Sequence, residues 1–217
     1  ELGLNVTPEQ VAELKKYADD INYDLAEQYE KEVRHDVMAH VKAYGAQAKS
    51  AMPIIHLGAT SCFVNCNAEV IMISDALDIV LKKLVNVMDK LKKFALTYKD
   101  MPTLGFTHLQ PAQLTTVGKR ATLWLQDLEM DYENLMNLKE HIKLRGVKGT
   151  TGTQASFLEL FDGDEDKVKR LEQKVVEKMG YGKVFGVTGQ TYPRKFDYNV
   201  PVSYTHLRAH ETVLDLV

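Results

Sequence analysis

The chain has 217 residues, 45% of them apolar, and a formal net charge of −3 from 27 basic and 30 acidic side chains. That length allows one sizeable core, or one and a half domains, and the near-balance of charge argues against a nucleic-acid binder held by many phosphate contacts. The two cysteines, Cys62 and Cys66, are too few for a disulfide framework or a zinc site, and reduced thiols are expected in a cytoplasmic protein.

No apolar run approaches the roughly 18 residues of a membrane span. Residue 1 is Glu rather than Met and no charged-then-apolar leader follows, so a processed chain or a fragment is expected. Thr7-Pro8-Glu9-Gln10 opens a first helix. Thr7 caps it, Pro8 suits its first position, and Gln10 completes a capping box. A second helix is expected from about Asp24 to Val33, and Arg34-His35-Asp36-Val37-Met38-Ala39-His40 continues as helix, with or without a break. His35 and His40 would lie about 140° apart around a helix, so they cannot share a metal as an i, i+4 pair does.

Pro53 to Ser61 reads as a loop ending in hydroxyl residues before a long periodic run. Thr60 and Ser61 could seat a carboxylate or phosphate at a helix N-terminus. Plain capping explains them equally well. From about Asn67 to Tyr98, Val70, Ile73, Leu77, Val80, Leu81, Leu84, Met88, Leu91 and Ala95 keep helical spacing. The lysines beside them are most simply a solvated face.

The stretch Thr103 to Gln113 carries His108. Pro111 fixes its own φ and disfavours helix at Gln110, so the chain is expected to be extended to that point. One long helix is then expected from Ala112 to about Arg145, with a stripe through Leu114, Val117, Ala121, Trp124, Leu125, Leu128, Leu135, Leu138 and Ile142. Such a helix would be roughly 50 Å long, and helices of this length usually bury more than one stripe, as in oligomeric bundles. His108 would sit on a stiff turn at a helix start, from which an imidazole can exchange a proton near neutral pH. Taken alone, the position fits a non-catalytic histidine better.

Gly146 to Gln154 is a Gly/Thr-rich loop without P-loop spacing. Its glycines allow positive φ and close approach to a ligand or another chain. A short helix over Ala155 to Phe161, an amphipathic one over Asp164 to Met179 ended by Gly180, and a polar loop over Thr188 to Arg194 follow. Strand patterning is confined to short runs such as Val184 to Val187. Pro201 to Val217 is weakly amphipathic and unlike the rest.

Polar loops flanking long helices suit an all-helical bundle whose site is assembled from separated segments. Five segments carry a closer resemblance: Arg34 to His40, His56 to Ser61, Thr107-His108-Leu109-Gln110-Pro111-Ala112-Gln113, Gly146 to Thr153, and Thr188-Gly189-Gln190-Thr191-Tyr192. Over about residues 1 to 199 the chain resembles the adenylosuccinate lyases of the fumarase/aspartase superfamily. The resemblance implies an all-α, aspartase/fumarase-like elongated helical bundle, here truncated. Residues 1–60 would be part of an N-terminal helical domain, 61–200 the first part of the central long-helix bundle, and 201–217 a non-native tail.

The implied activity is β-elimination of fumarate from adenylosuccinate, giving AMP, and from the succinyl-carboxamide ribotide of purine synthesis. By the same resemblance His108 is the general acid and His35 a second catalytic histidine. Arg34, Asp36, Thr60, Ser61, Thr107 and Gln190 bind substrate. No metal or organic cofactor is implied, and no nucleic acid or membrane. The family forms cytoplasmic homotetramers whose active sites draw on three subunits. It also uses a catalytic serine on a loop of the type Ser-Ser-x-Met-Pro-x-Lys-x-Asn-Pro, and no such string occurs here. This chain by itself is therefore expected to be inactive and prone to aggregate. The alternatives are a superfamily lyase acting on argininosuccinate or fumarate, and a non-catalytic helical module that binds nucleotides or lyase subunits.

Overall fold

The structure is a computed structural model and describes residues 1–200. Residues 201–217, for which the sequence predicts a non-native tail, lie outside the described residues. Helix α1 spans Pro8–Lys16, α2 Tyr23–Val33, α3 Asp36–Gln47, α4 Ser61–Thr97, α5 Val117–Glu140, α6 Ala155–Leu160 and α7 Glu165–Lys178. A short 3₁₀ turn occupies Met52–Ile54, and residues 195–200 are helical. The helical class expected from sequence holds. The exception is a hairpin, β1 (Pro102–Thr107) paired antiparallel with β2 (Gln110–Thr116).

Local chemistry sets most of the boundaries. The Thr7 N–H donates to Gln10 Oε1 at 3.0 Å and the Gln10 N–H to Thr7 Oγ1 at 3.3 Å, the reciprocal pair of a capping box. Asp164 caps α7 by accepting from the Lys167 N–H at 3.0 Å. Gly180, at φ 83°, ends it in a left-handed turn, with the Tyr181 N–H reaching the Val176 carbonyl at 3.0 Å. The run from Arg34 to His40 does break. Arg34 turns left-handed at φ 52° as the C-cap that follows α2, and His35 becomes the N-cap of α3.

The expectation of one helix from Ala112 to Arg145 is corrected at both ends. Thr116, extended at φ −119°, is the N-cap, its Oγ1 accepting from the Lys119 N–H at 3.0 Å. The residues before it belong to β2, and Leu114, read as part of a buried stripe, is 77% exposed. At the other end His141 closes α5, and Leu144 pairs in parallel with Val184. Helix α4 opens at Ser61 rather than near Asn67, and Cys66, ahead of the expected start, already lies on its buried face.

The described chain divides into two compact units. Glu1–Ile71 with Lys143–Pro193 makes the first, and Met72–Ile142 with the residues from Arg194 onward the second. In the first, Val147, Phe157, Phe161 and Val168 form a core against which Leu2, Leu4, Ala59 and Phe63 pack. Gly58, at φ 69°, lies where a Cβ would press on Leu160 and Phe157, so this corner admits no side chain. In the second, α4 and α5 run antiparallel. Asp78 pairs with Lys139, and Gly118 lies against the backbone at Ala95 and Lys99. Leu77, Leu81, Leu84, Ala121, Leu128 and Leu135 are buried there.

Candidate active site

The first unit holds most of the polar segments singled out in the sequence. The left-handed Arg34 reverses the chain so that Arg34, His35 and Asp36 share one exposed turn. His35 Nδ1 lies 3.1 Å from Asp36 Oδ1 and 3.5 Å from the Met38 N–H. These contacts demand opposite protonation at Nδ1. Nδ1 can satisfy only one of the two at a time, as acceptor to the Met38 N–H or as donor to Asp36. The Val37 N–H, then the Asn65 side chain and the neighbouring His35, hold the Asp36 carboxyl below the usual carboxylate range. Asn65 stands one turn beyond Ser61 on α4, so this contact joins the histidine turn to the start of that helix. Thr60 there is 6% exposed and Ser61 half-buried.

His56 completes the cluster. It is half-buried, and desolvation, with the charge of His35 adding to it, pushes its pKa below the ordinary value of 6.5. It belongs to a segment quoted for the resemblance, yet sequence reasoning gave it no role. A second histidine within range of the first was the available signal.

The two glycine-rich loops meet in the same unit. Gly149 donates to the Thr153 carbonyl at 2.6 Å and Gly152 to the Gly149 carbonyl at 3.1 Å, closing the first loop on itself. Gly152 has φ 82°, and a Cβ there would collide with the Thr188 carbonyl, so the loops touch backbone to backbone. Asn67 holds Gly146 at both ends: its Oδ1 accepts from the Gly146 N–H at 3.1 Å and its Nδ2 donates to the Gly146 carbonyl at 3.3 Å. Ser156 Oγ donates to the Gly58 carbonyl at 2.9 Å and ties the loop before α4 to α6. Gln190 presents its carbonyl to Arg145, and the residue is otherwise exposed. Arg145, read only as the end of a long helix, is fully buried.

Thr107 and His108 lie in the second unit and are described by themselves. Thr107 pairs with Gln110, which leaves His108 and Leu109 as a two-residue turn with φ 51° and 60°. Positive φ at both central residues is what a type I′ hairpin turn requires. Neither is Gly or Asn, and Leu in this region is a strained residue. His108 thus stands exposed at a hairpin tip, not on a turn immediately before a helix. β1 bulges between Leu104 and Phe106, where a Cβ on Gly105 would stand 2.8 Å from the Gln113 carbonyl. A groove of about 320 Å³ in this unit is lined by Val85, Met88, Lys92, Leu125 and Tyr132, and it contains none of the site residues expected from sequence. Among the described residues no group of His, Cys, Asp and Glu could hold a metal ion, and no helix is long and apolar enough to cross a membrane.

Comparison with known proteins agrees with the motifs. The chain is 53% identical over 221 aligned residues to adenylosuccinate lyase of Saccharomyces cerevisiae and 51% identical to that of Schizosaccharomyces pombe. Each alignment covers all of this chain and 46% of the relative, so the chain spans about half the length of the curated relatives it matches. A crystal structure of fumarate lyase from Mesorhizobium sp. BNC1 superposes with a TM-score of 0.76 at 21% identity, covering 96% of this chain and 49% of that one, which establishes an aspartase/fumarase-like helical fold. The model of the lyase family matches residues 4–197, and the chain belongs to that family.

Proposed function

We propose that the protein containing this segment is an adenylosuccinate lyase, which eliminates fumarate from adenylosuccinate to leave AMP and also cleaves the succinyl-carboxamide ribotide. The observation that carries this reading is 53% identity across the whole segment to a relative so named. In the reaction a base takes the proton on the carbon next to a carboxylate, the carbon–nitrogen bond breaks, and an acid protonates the departing nitrogen. N–H donors and cations stabilise the dianionic intermediate. His108 is the acid. His35, 3.1 Å from Asp36, is the second catalytic histidine, and Arg34, Asp36, Thr60, Ser61, Thr107 and Gln190 hold the substrate.

The reading includes a cytoplasmic homotetramer with sites shared among subunits. The catalytic serine lies outside these 217 residues, and the segment by itself is inactive. The test is fumarate release from adenylosuccinate by the full-length protein and by its His108→Gln variant. Loss of a general acid lowers kcat by roughly 10²- to 10⁴-fold with circular dichroism unchanged. A variant within about tenfold of the parent, or a parent that releases no fumarate, overturns the reading.

A further inference from the structure

Arg145 is 0% exposed, and its four hydrogen bonds all go to backbone carbonyls. Nε donates to Gln190 at 2.9 Å, Nη1 to Lys148 at 2.6 Å, and Nη2 to Gly149 at 2.6 Å and Gly189 at 3.4 Å. A guanidinium is a rigid planar fork with five donors, and here the fork spans two loops far apart in sequence. Burial disfavours its charge, and a buried cation persists only where its donors are satisfied. A hydrophobic side chain could fill the same volume more cheaply, so the useful property of this position is what the fork holds together.

One side of the fork is fixed independently. Asn67 holds Gly146 to α4, and Glu172 on α7 accepts from the Val147 N–H at 3.0 Å and from Lys148 Nζ at 2.6 Å. The turn at 145–149 is thus anchored to two helices, and the 188–190 backbone meets that turn through the guanidinium and the Gly152 contact.

We propose that Arg145 is a positioning residue for the reaction: its guanidinium sets the register of the 188–190 loop against the anchored 145–149 turn, and so fixes where the Gln190 side chain meets substrate. Being fully buried, it touches no substrate itself. The proposal rests on the reading of Gln190 as a substrate-binding residue.

The test compares Arg145→Lys, which keeps the charge and loses the fork, with Gln190→Ala, which keeps the carbonyl and loses the side chain, in the full-length protein. In Arg145→Lys, amide exchange at 187–191 is expected to accelerate about tenfold or more while α7 is unchanged. KM for adenylosuccinate is expected to rise about tenfold with kcat within about threefold. In the Gln190→Ala background Arg145→Lys should add nothing further. Gly152→Ala, which wedges the loops apart from the opposite side, should reproduce the pattern and serves where the Arg145→Lys chain does not fold. Unchanged exchange at 187–191, or losses in kcat/KM that multiply in the double variant, overturn the proposal. Faster exchange with KM unchanged in both Arg145→Lys and Gln190→Ala leaves the clamp intact and overturns the Gln190 reading beneath it.

Discussion

Glu172 is the carboxylate from which the 145–149 turn hangs. Its Oε1 accepts from Lys148 Nζ at 2.6 Å and from the Val147 N–H at 3.0 Å, with the Lys148 side chain 5% and the Glu172 side chain 19% exposed. Glu172→Gln keeps the shape and an acceptor for Val147 and removes only the charge. Lys148 then retains the Arg145 carbonyl at 3.2 Å, and its ammonium is left without a counter-charge in a buried site. Breaking one side of a buried pair costs roughly 3–5 kcal/mol. The surviving hydrogen bonds recover about 1–2 kcal/mol of that, which leaves a net loss of about 2–3 kcal/mol. At roughly 2–4 °C per kcal/mol for a chain of this size, the thermal midpoint falls by about 4–12 °C. Thermal and urea unfolding followed by far-ultraviolet circular dichroism measures it. Adding Lys148→Met should restore about 1–2 kcal/mol, because the stranded charge is gone. A midpoint shift under about 1 °C, or a double variant that is simply the sum of the singles, would refute the idea that this charge pair anchors the turn.

Leu109 is fully exposed at φ 60°, so Leu109→Gly surrenders no buried area. It removes a left-handed penalty of about 1–2 kcal/mol and gives back about 0.4–1 kcal/mol of unfolded-chain entropy. A net gain of about 0.5–1 kcal/mol in urea unfolding is expected, and a loss would contradict the strained turn. Thr116→Ala deletes the N-cap of α5 and should cost about 1 kcal/mol by the same measurement; a neutral outcome would mean the cap contributes nothing. Burial pushes the His56 pKa below 6.5, so just below that pH the unfolded chain binds more protons than the folded one. Stability from this group is then full above pH 6.5 and falls as pH drops through the folded pKa. His56→Gln should flatten the urea midpoint against pH below 6.5, and an unchanged slope would contradict the assignment.

Elements whose ends are set by neighbouring residues were legible in the sequence. The Thr7 box and the Gly180 stop each needed only a few adjacent side chains, and each is in place. The hairpin was not legible. Leu114 and Val117 keep helical spacing by coincidence, and β2 is too exposed to show strand alternation. Pro111 signalled a break in helix without saying that Thr116, five residues later, would be the cap. Arg145 was hidden for a different reason. Nothing local separates a buried arginine from a surface one, because two of its four acceptors, Gly189 and Gln190, belong to a segment that only the fold brings to it. Arg34, His35 and Asp36 were visible as a polar cluster, and their roles rested on the resemblance rather than on spacing.

The hairpin that bears His108 is an arm. At about 3.3 Å per residue, β2 carries the imidazole roughly 20 Å beyond the start of α5. Among the described residues the sheet has only these two strands, and most of their side chains face water. Arg120, whose Nη2 donates to the Leu104 carbonyl at 3.0 Å, braces the base of the arm and leaves its far end to the ribbon itself. A lone ribbon of this kind is marginally stable in water, and any angular play at its base is multiplied along its length. Aim at the tip is therefore a property the arm acquires from whatever surface it is laid against. The tight, strained turn fixes only that His108 and Leu109 stand together at its end.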